Sequence, residues 1–120
     1  MAVAFPERPE HIRELIRYAA EQGLSLIPRT AGTSLAGQVV GNGIVVDAGR
    51  HMNRILEIDP IGKRVRVEPG VVRDELNHEL RPHGMLFGPE TSTANRAMIG
   101  GMVGNNSCGS NSLVYGSTRE

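Results

Sequence analysis

A loop rich in small residues, PRTAGTSLAGQ at 28–38, carries the hydroxyls of Thr30, Thr33 and Ser34. With so few bulky side chains around them, its backbone N–H groups can form a concave anion-binding site. Each N–H donated to a phosphate contributes roughly 1.5–3 kcal/mol, because one partner is charged. The loop therefore predicts a pyrophosphate site that needs no lysine. The competing interpretation is an ordinary connection between two strands.

Two common nucleotide-binding motifs do not match the residues around this loop. Gly32 and Gly37 have the spacing of a phosphate-binding P-loop, but Gln38 and Val39 occupy the positions of its Lys and its Ser or Thr. The segment GNGIVV at 41–46 has valine in place of the third glycine of a dinucleotide fingerprint. Neither of these two nucleotide-binding folds is predicted.

A second candidate site lies in MIGGMVGNNSCGSNSLVYG at 98–116, whose pattern fits neither a helix nor an ordinary strand. Consecutive Gly100 and Gly101 leave no side chain between the backbone and a neighbour. Asn105 and Asn106 follow and supply amide donors and acceptors. A large planar ring with polar edges suits such a wall, although a tight turn also explains the glycine pair.

The amino-acid composition argues against several classes of function. The 13 basic residues balance the 13 acidic ones, so no net field attracts nucleic acid or an anionic membrane. The single cysteine, Cys108, excludes an internal disulfide, and we expect it to be a small buried residue. The four histidines lack ligand spacing, so no metal ligand is predicted. No apolar run is long enough to span a bilayer and no signal-peptide pattern is seen, which predicts a cytoplasmic protein.

The first half of the chain predicts a small parallel sheet. Apolar residues recur on one helix face over residues 9–22, at Ile12, Leu15, Ile16, Ala19 and Ala20. Pro9 suits the first turn of this helix and Gly23 its C-terminal cap. Short apolar runs before and after it predict two parallel strands that the helix connects. GIVVDA at 43–48 predicts a strand of the same sheet that is buried on both faces.

The middle of the chain predicts a hairpin and a second helix. ILEID and RVRVE alternate around the turn PIGK, with Leu56 and Ile58 facing Val65 and Val67. The second helix is predicted over residues 71–82 from the four-residue spacing of its apolar residues, and it is closed by proline and glycine. Beyond residue 84 periodicity fades, and no element is predicted.

In this order, the segments PRTAGTSLAGQ, ILEIDPIGKRVRVEPGV, RPHG and GPETSTANRAMIGGMVGNNSCG resemble the FAD-linked oxidases. These form the vanillyl-alcohol oxidase type superfamily, with its PCMH-type FAD-binding domain. The chain is most similar to its D-2-hydroxyacid dehydrogenases, which include D-lactate, glycolate and D-2-hydroxyglutarate enzymes, and among these to the long bacterial members fused to an iron–sulfur region. The resemblance implies an α+β fold, with a small parallel-strand α/β subdomain, the start of a second sheet-and-helix subdomain, and FAD between them.

The resemblance also implies where FAD binds. The first loop would meet the pyrophosphate through backbone N–H groups, and the second stretch would line the isoalloxazine and ribityl side. The implied cofactor-binding residues are Arg29, Ala31, Gly32, Thr33, Ser34, Leu35, Pro89, Glu90, Thr91, Gly100, Gly101, Asn105, Asn106 and Gly109. Thr33 stands where some relatives attach flavin through a histidine, so the resemblance implies noncovalent FAD. No catalytic residue and no metal ligand are expected in this segment.

The function implied by the resemblance is that of a flavoprotein oxidoreductase. It would transfer a hydride from a small D-2-hydroxyacid to flavin N5. Residues 1–120 would be the N-terminal part of an FAD-binding domain, cut from a larger protein that can also hold an iron–sulfur cluster. The piece would be inactive alone, and its cut surface could form a dimer. The alternatives are a non-catalytic nucleotide- or anion-binding module, a sugar-lactone oxidase and the flavin reductase of cell-wall precursor synthesis.

Overall fold

The computed structural model describes residues 2–119. Two small sheets, one parallel and one antiparallel, are accompanied by helices, so the predicted α+β class is confirmed. The elements in chain order are β1 (Ala2–Ala4), α1 (Pro9–Gln22), β2 (Leu26–Arg29), β3 (Ile44–Asp47), β4 (Ile55–Asp59), β5 (Arg64–Val67), α2 (Arg73–Leu80), a 3-10 turn (Arg81–His83), α3 (Ile99–Gly104) and α4 (Ser112–Tyr115).

The first sheet has the strand order β1-β3-β2, and all of its strand pairs are parallel. The predicted strand–helix–strand unit is present, but β1 and β2 are not neighbours, because β3 lies between them and pairs with both. Ile44 and Val46 of β3 are buried. This strand belongs in the centre because its apolar side chains need cover that an edge strand would lack.

Helix α1 has the predicted bounds. Pro9 begins it, and Gly23 ends it with a left-handed φ of 64° and an N–H bonded to the last turn. Its apolar face is less buried than the periodicity suggests: Ala19 is 3% exposed, whereas Ile16 is 54% exposed. The face is wider than the small parallel sheet, so part of it lies on the surface.

The hairpin β4–β5 is confirmed, with one change of register. Ile55 pairs with Val67 and Glu57 with Arg66, so Leu56 is the extra residue of a β-bulge. Leu56 is therefore exposed, and Ile55 replaces it beside Ile58 on the face that packs against the core. The prediction for Leu56 was wrong because strict alternation does not reveal a bulge.

The principal core lies between the β4–β5 hairpin, α2 and α3, which together form the second subdomain. Helix α2 starts at Arg73, two residues later than predicted, and is followed by the 3-10 turn and by Gly84 at a φ of 64°. The face of β4–β5 packs against a buried cluster of Val71, Leu76, Leu80, Ala97, Ile99 and Met102. Two of these residues belong to α3, so the core also carries part of the second candidate stretch.

The prediction that residues 98–116 form no helix was wrong. Helix α3 occupies Ile99–Gly104 and α4 occupies Ser112–Tyr115. Three glycines in six residues give α3 a low helix propensity, and so short a helix is marginal by itself. Burial of Ile99 and Met102 in the core stabilises it instead. Among residues 2–119, no helix is long and apolar enough to cross a membrane.

Candidate functional site

The two glycine-rich stretches meet in space, although about seventy residues separate them. A Cβ added at Gly101 would lie 2.7 Å from Thr30 Oγ1, so the backbone of α3 passes directly against the start of the first loop. Gln38 Nε2, at the end of that loop, donates a 2.9 Å hydrogen bond to Asn105 Oδ1. The loop is thus joined to α3 near both of its ends.

The first loop follows β2 and turns through two glycines in the left-handed region, Gly32 at a φ of 69° and Gly37 at 70°. A side chain at Gly32 would also meet the Arg29 guanidinium, with Nε only 2.9 Å from the added Cβ. Leu35 is fully exposed at the tip. The sequence folds this way because glycine adopts a positive φ with little cost.

Most backbone donors of this loop remain available. Within residues 2–119, no hydrogen bond uses the N–H groups of residues 31–35. The Ser34 hydroxyl bonds the Gln38 side chain and accepts a 3.4 Å bond from the Ala36 N–H. Successive N–H groups without a partner among residues 2–119, in a loop of small residues, are the donor set that an anion requires. The Ser34 hydroxyl, in contrast, already has partners within the loop.

Helix α3 rests on the turn that follows β5. The Gly100 N–H donates to Pro69 O at 2.9 Å, and a Cβ at Gly100 would lie 2.5 Å from Pro69 Cβ. Glycine at position 100 therefore has a packing reason that requires no ligand. Gly101 is exposed on the side of the first loop, so of this glycine pair it is the residue placed on the open surface.

The turn under α3 is held by a buried carboxylate. Arg54 donates from Nη2 to Glu68 Oε1 at 2.8 Å, and from its backbone N–H and Nε to Oε2 at 2.8 and 3.2 Å. Glu68 is 6% exposed. The side-chain hydrogen bond from Arg54 holds the pKa of Glu68 below its usual value, against the opposing effect of burial, and Glu68 raises the pKa of Arg54.

The predicted residues Pro89, Glu90 and Thr91 lie in segment 87–91, which α2 holds in place. Asn77 Nδ2 donates to Phe87 O at 3.1 Å, and the Phe87 N–H donates to Asn77 Oδ1 at 2.8 Å. Arg73 Nε donates to Pro89 O at 3.2 Å. Asn77 is buried, so both of its amide bonds are sheltered from water.

Segment 87–91 also contacts the end of the second stretch. Glu90 Oε1 accepts bonds from Ser110 Oγ at 3.0 Å and from Asn111 Nδ2 at 2.6 Å. A Cβ at Gly109 would lie 2.6 Å from Glu90 O. Two predicted site residues, Glu90 and Gly109, are thus brought into direct contact.

The two predicted asparagines are both engaged in local structure. Asn106 has a left-handed φ of 48°, and its Oδ1 accepts the Arg119 N–H at 2.9 Å. Asn105 Nδ2 donates to Ser107 Oγ at 3.3 Å, while its Oδ1 binds Gln38. Their amides fix the loop after α3 and its link to the first loop.

Cys108 is exposed, which contradicts the expectation of a small buried residue. The loop after α3 is rich in Gly, Ser and Asn, so no apolar neighbourhood covers the thiol. In the described part of the chain, no group of three His, Cys, Asp or Glu residues could hold a metal ion.

Sequence reasoning missed several residues that assemble this region. Gln38 was considered only as a departure from the P-loop pattern, yet it joins the loop to α3. The sequence analysis did not single out Asn77 and Arg73, which hold segment 87–91, or Ser110 and Asn111, which bond Glu90. The one available signal was Asn77, a polar residue directly after the apolar position Leu76 on a helix that packs against the core.

One cavity of the molecule lies away from the candidate site. A cavity of about 460 Å³ lies between the hairpin and α2, lined by Asn53, Ile55, Val71, Glu75, His78 and Glu79. None of these residues belongs to the first loop, to segment 87–91 or to α3.

The profile of a family described as an FAD binding domain matches residues 1–120, so this chain belongs to the FAD-binding domain family. The resemblance to FAD-linked oxidases drawn from the sequence is confirmed.

The relatives named as enzymes agree with this family. The chain is 47% identical to the D-2-hydroxyglutarate dehydrogenase of Escherichia coli (strain K12), over 99% of this chain and 12% of that protein. It is 29% identical to the mitochondrial D-lactate dehydrogenase [cytochrome] 1 of Saccharomyces cerevisiae, over 98% of this chain and 20% of that protein. The chain thus spans about an eighth of the length of its bacterial D-2-hydroxyglutarate dehydrogenase relatives.

A solved structure supports the fold independently. An alkyldihydroxyacetonephosphate synthase matches with a TM-score of 0.85 and 23% identity, over 98% of this chain and 22% of that one. At this identity the match concerns the fold alone. It agrees with the predicted parallel-strand subdomain followed by the start of a second sheet-and-helix subdomain.

Proposed function

We propose that this chain is the N-terminal part of the FAD-binding domain of a larger flavin-dependent dehydrogenase that oxidises a small D-2-hydroxyacid. The family match and the names of the relatives support this proposal. Bound FAD supplies the acceptor for the hydride, at its N5 atom. The chain itself supplies binding and orientation, and it contributes no proton-abstracting base.

The observation that carries the proposal is the contact between the first loop and α3. The available N–H groups of residues 31–35 fit a pyrophosphate, whose charge makes each of these hydrogen bonds stronger than a neutral one. Gly101, beside Thr30, leaves space where any larger side chain would fill the junction. The donor set and the bare backbone together fit a dinucleotide with a flat ring at one end.

The proposed cofactor-binding residues remain those of the two stretches and segment 87–91, each with a refined role. Residues 31–35 would bind the pyrophosphate through backbone N–H groups, and Gly101 would face the ring. Gly100 would contribute by letting α3 rest on Pro69. Asn105, Asn106 and Gly109 would shape the wall through contacts within the chain. Thr33, in the place of a histidine, supports noncovalent attachment.

Several broader properties belong to the same proposal. The length of the bacterial relatives supports a parent that holds the substrate site and further domains, and an iron–sulfur cluster would be in that part. We propose a cytoplasmic location and no nucleic-acid partner, in line with the balanced charge. The apolar side chains exposed on this segment, including Leu35, Val103 and Leu113, would support dimer formation by the isolated piece.

The full-length protein that carries this chain provides the test. Purified protein should be yellow, release FAD on denaturation, and lose its visible flavin absorbance when D-2-hydroxyglutarate, D-lactate or glycolate is added without oxygen. The L-enantiomers of the chiral acids serve as controls. A colourless protein that does not take up added FAD would refute the flavin proposal. A yellow protein whose flavin is reduced only by sugar lactones would show that the substrate is a sugar lactone rather than a D-2-hydroxyacid.

A further inference from the structure

Glu90 is the one carboxylate of the candidate site, and its side chain is directed at protein rather than at open surface. Oε1 accepts a bond from Ser110 Oγ at 3.0 Å and a shorter one from Asn111 Nδ2 at 2.6 Å. Hydrogen bonds to an ionised acceptor are about twice as strong as neutral ones. The carboxylate is therefore bound to the turn that begins α4.

The backbone of Glu90 cannot move away from that turn. Arg73 holds Pro89 O and Asn77 holds Phe87 through two bonds, so segment 87–91 is anchored to α2 on the side of the core. Because α2 buries Leu76 and Leu80, this anchor is part of the packed core. The Glu90 carboxylate thus links the turn at 109–111 to α2 through segment 87–91.

The turn at 109–111 is shaped to fit Glu90. A Cβ at Gly109 would lie 2.6 Å from both Glu90 O and Glu90 Cγ, so only glycine allows this approach. At the other end of α4, a Cβ at Gly88 would lie 2.8 Å from the Tyr115 ring. Helix α4 therefore docks on segment 87–91 at two points, through Asn111 at its start and Tyr115 at its end.

We infer that Glu90 is a positioning residue, which fixes the turn at 109–111 and α4 against segment 87–91 through its Oε1 atom. This inference rests on the proposed function for the consequence that a correctly placed turn improves the binding of FAD. Glu90 then acts through two hydrogen bonds accepted by one oxygen. Its charge strengthens these bonds, and no contact with the cofactor is required.

A glutamine at position 90 distinguishes this positioning role from a role that depends on charge or on direct contact with the cofactor. Its side-chain carbonyl can occupy the place of Oε1 and accept both bonds, whereas it lacks the charge and the basicity of a carboxylate. In the full-length protein, Glu90→Ala should weaken FAD binding about tenfold, as expected when charge-assisted hydrogen bonds are lost. It should also shift the visible absorption bands of bound flavin. Glu90→Gln should restore most of the affinity and of the spectrum, because neutral hydrogen bonds keep the turn in place.

Asn111→Ala tests the same contact from the other partner, because its side chain makes no cap bond within α4. It should weaken FAD binding in the same direction as Glu90→Ala. Glu21→Ala, which changes an exposed carboxylate of α1, is the matched control and should bind FAD like the unaltered protein. Wild-type affinity and spectrum in Glu90→Ala would overturn the inference. So would a Glu90→Gln variant as weak as Glu90→Ala, since charge or direct contact would then be needed.

Hydrogen exchange tests the inference separately from the proposed function. In FAD-free protein, Glu90→Ala should speed amide exchange in residues 109–115 about tenfold, while Glu90→Gln should not. Unchanged exchange in Glu90→Ala would overturn the positioning role even if FAD binds. If the unaltered protein fails to bind FAD, but exchange in residues 109–115 is faster in Glu90→Ala and unchanged in Glu90→Gln, the proposed function fails and the positioning role stands.

Discussion

The two glycine-rich stretches use glycine for different physical reasons. In the first loop, Gly32 and Gly37 have left-handed backbone angles, and a side chain at Gly37 would meet open space. In the second stretch, Gly100, Gly101 and Gly109 lie where an added Cβ would meet Pro69, Thr30 or Glu90 at 2.5–2.7 Å. The first set therefore shapes the backbone, and the second permits close contact.

This difference separates binding from stability in the candidate site. The loop is exposed and joined to α3 by few contacts, so changes there should alter ligand binding more than unfolding. Helix α3 belongs to the principal core through Ile99 and Met102, so changes beneath it should alter both. Four predictions test this comparison, from the largest expected effect to the smallest.

Gly100→Ala should have the largest effect. Its new methyl group would lie 2.5 Å from Pro69 Cβ and 3.0 Å from Pro69 O, and a proline ring cannot rotate away. Such overpacking should lower the free energy of unfolding by roughly 2–3 kcal/mol, measured by thermal unfolding of the full-length protein. Gly104→Ala, in the same helix with nothing within 4 Å, is the control and should be neutral or stabilising. Equal loss in both variants would contradict the distinction.

Glu68→Gln should have the next largest effect, because it weakens the hydrogen bonds that hold the turn under α3. We expect a loss of about 1.5 kcal/mol in unfolding free energy, at the lower end for bonds to a charged group because Arg54 is largely exposed. Glu57→Gln, in an exposed pair 4.0 Å from Arg66, should change stability much less.

The pH dependence of this pair has a definite sign. The pKa of Glu68 is lower in the folded protein than in the unfolded chain, so its contribution is present above the unfolded pKa, about 4.3. It is lost as pH falls through the folded pKa. The difference in melting temperature between the unaltered protein and Glu68→Gln should therefore be constant at neutral pH and shrink below about pH 4. A difference that grows on acidification would contradict this.

Gly32→Ala should affect binding rather than stability. A left-handed φ costs a residue with a side chain roughly 1–2 kcal/mol, and the Arg29 guanidinium must also move. Because the loop contributes no residue to the core cluster, it can relax this strain in the apoprotein without unfolding, so the cost falls mainly on binding. FAD affinity should fall about tenfold, which corresponds to about 1.4 kcal/mol, with a melting temperature near that of the unaltered apoprotein. Gly37→Ala shares the backbone strain without the contact and should have a smaller effect. A large drop in melting temperature for Gly32→Ala would show that the first loop, like α3, contributes to stability as well as to binding.

Gln38→Ala should have the smallest effect, since the two hydrogen bonds that it removes, to Asn105 and Ser34, are both exposed. FAD affinity should fall about fivefold, the equivalent of about 1 kcal/mol. The double variant with Asn105→Ala should lose less affinity than the sum of the two single losses, because the bond between Gln38 and Asn105 is removed in both single variants. Additive losses would show that the bond does not join the two stretches.

Much of the fold was already determined by local patterns in the sequence. Apolar spacing with Pro9 and Gly23 gave the bounds of α1, and GIVVDA at 43–48 predicted a strand, because both signals depend only on neighbouring residues. The strand was predicted to be buried on both faces, but Ile44 and Val46 are buried while Val45 is half-buried. The family was identifiable because the motifs occur in one order along the chain, and the profile match confirms it.

What tertiary structure alone decided depends on contacts between distant residues. The bulge at Leu56 follows from the register of two strands, and α3 forms because Ile99 and Met102 are buried despite three glycines. The junction of Thr30 with Gly101 and the bond from Gln38 to Asn105 have no local signal. The sequence shows where side chains are small, but only the packed chain shows which backbone or ring requires that space.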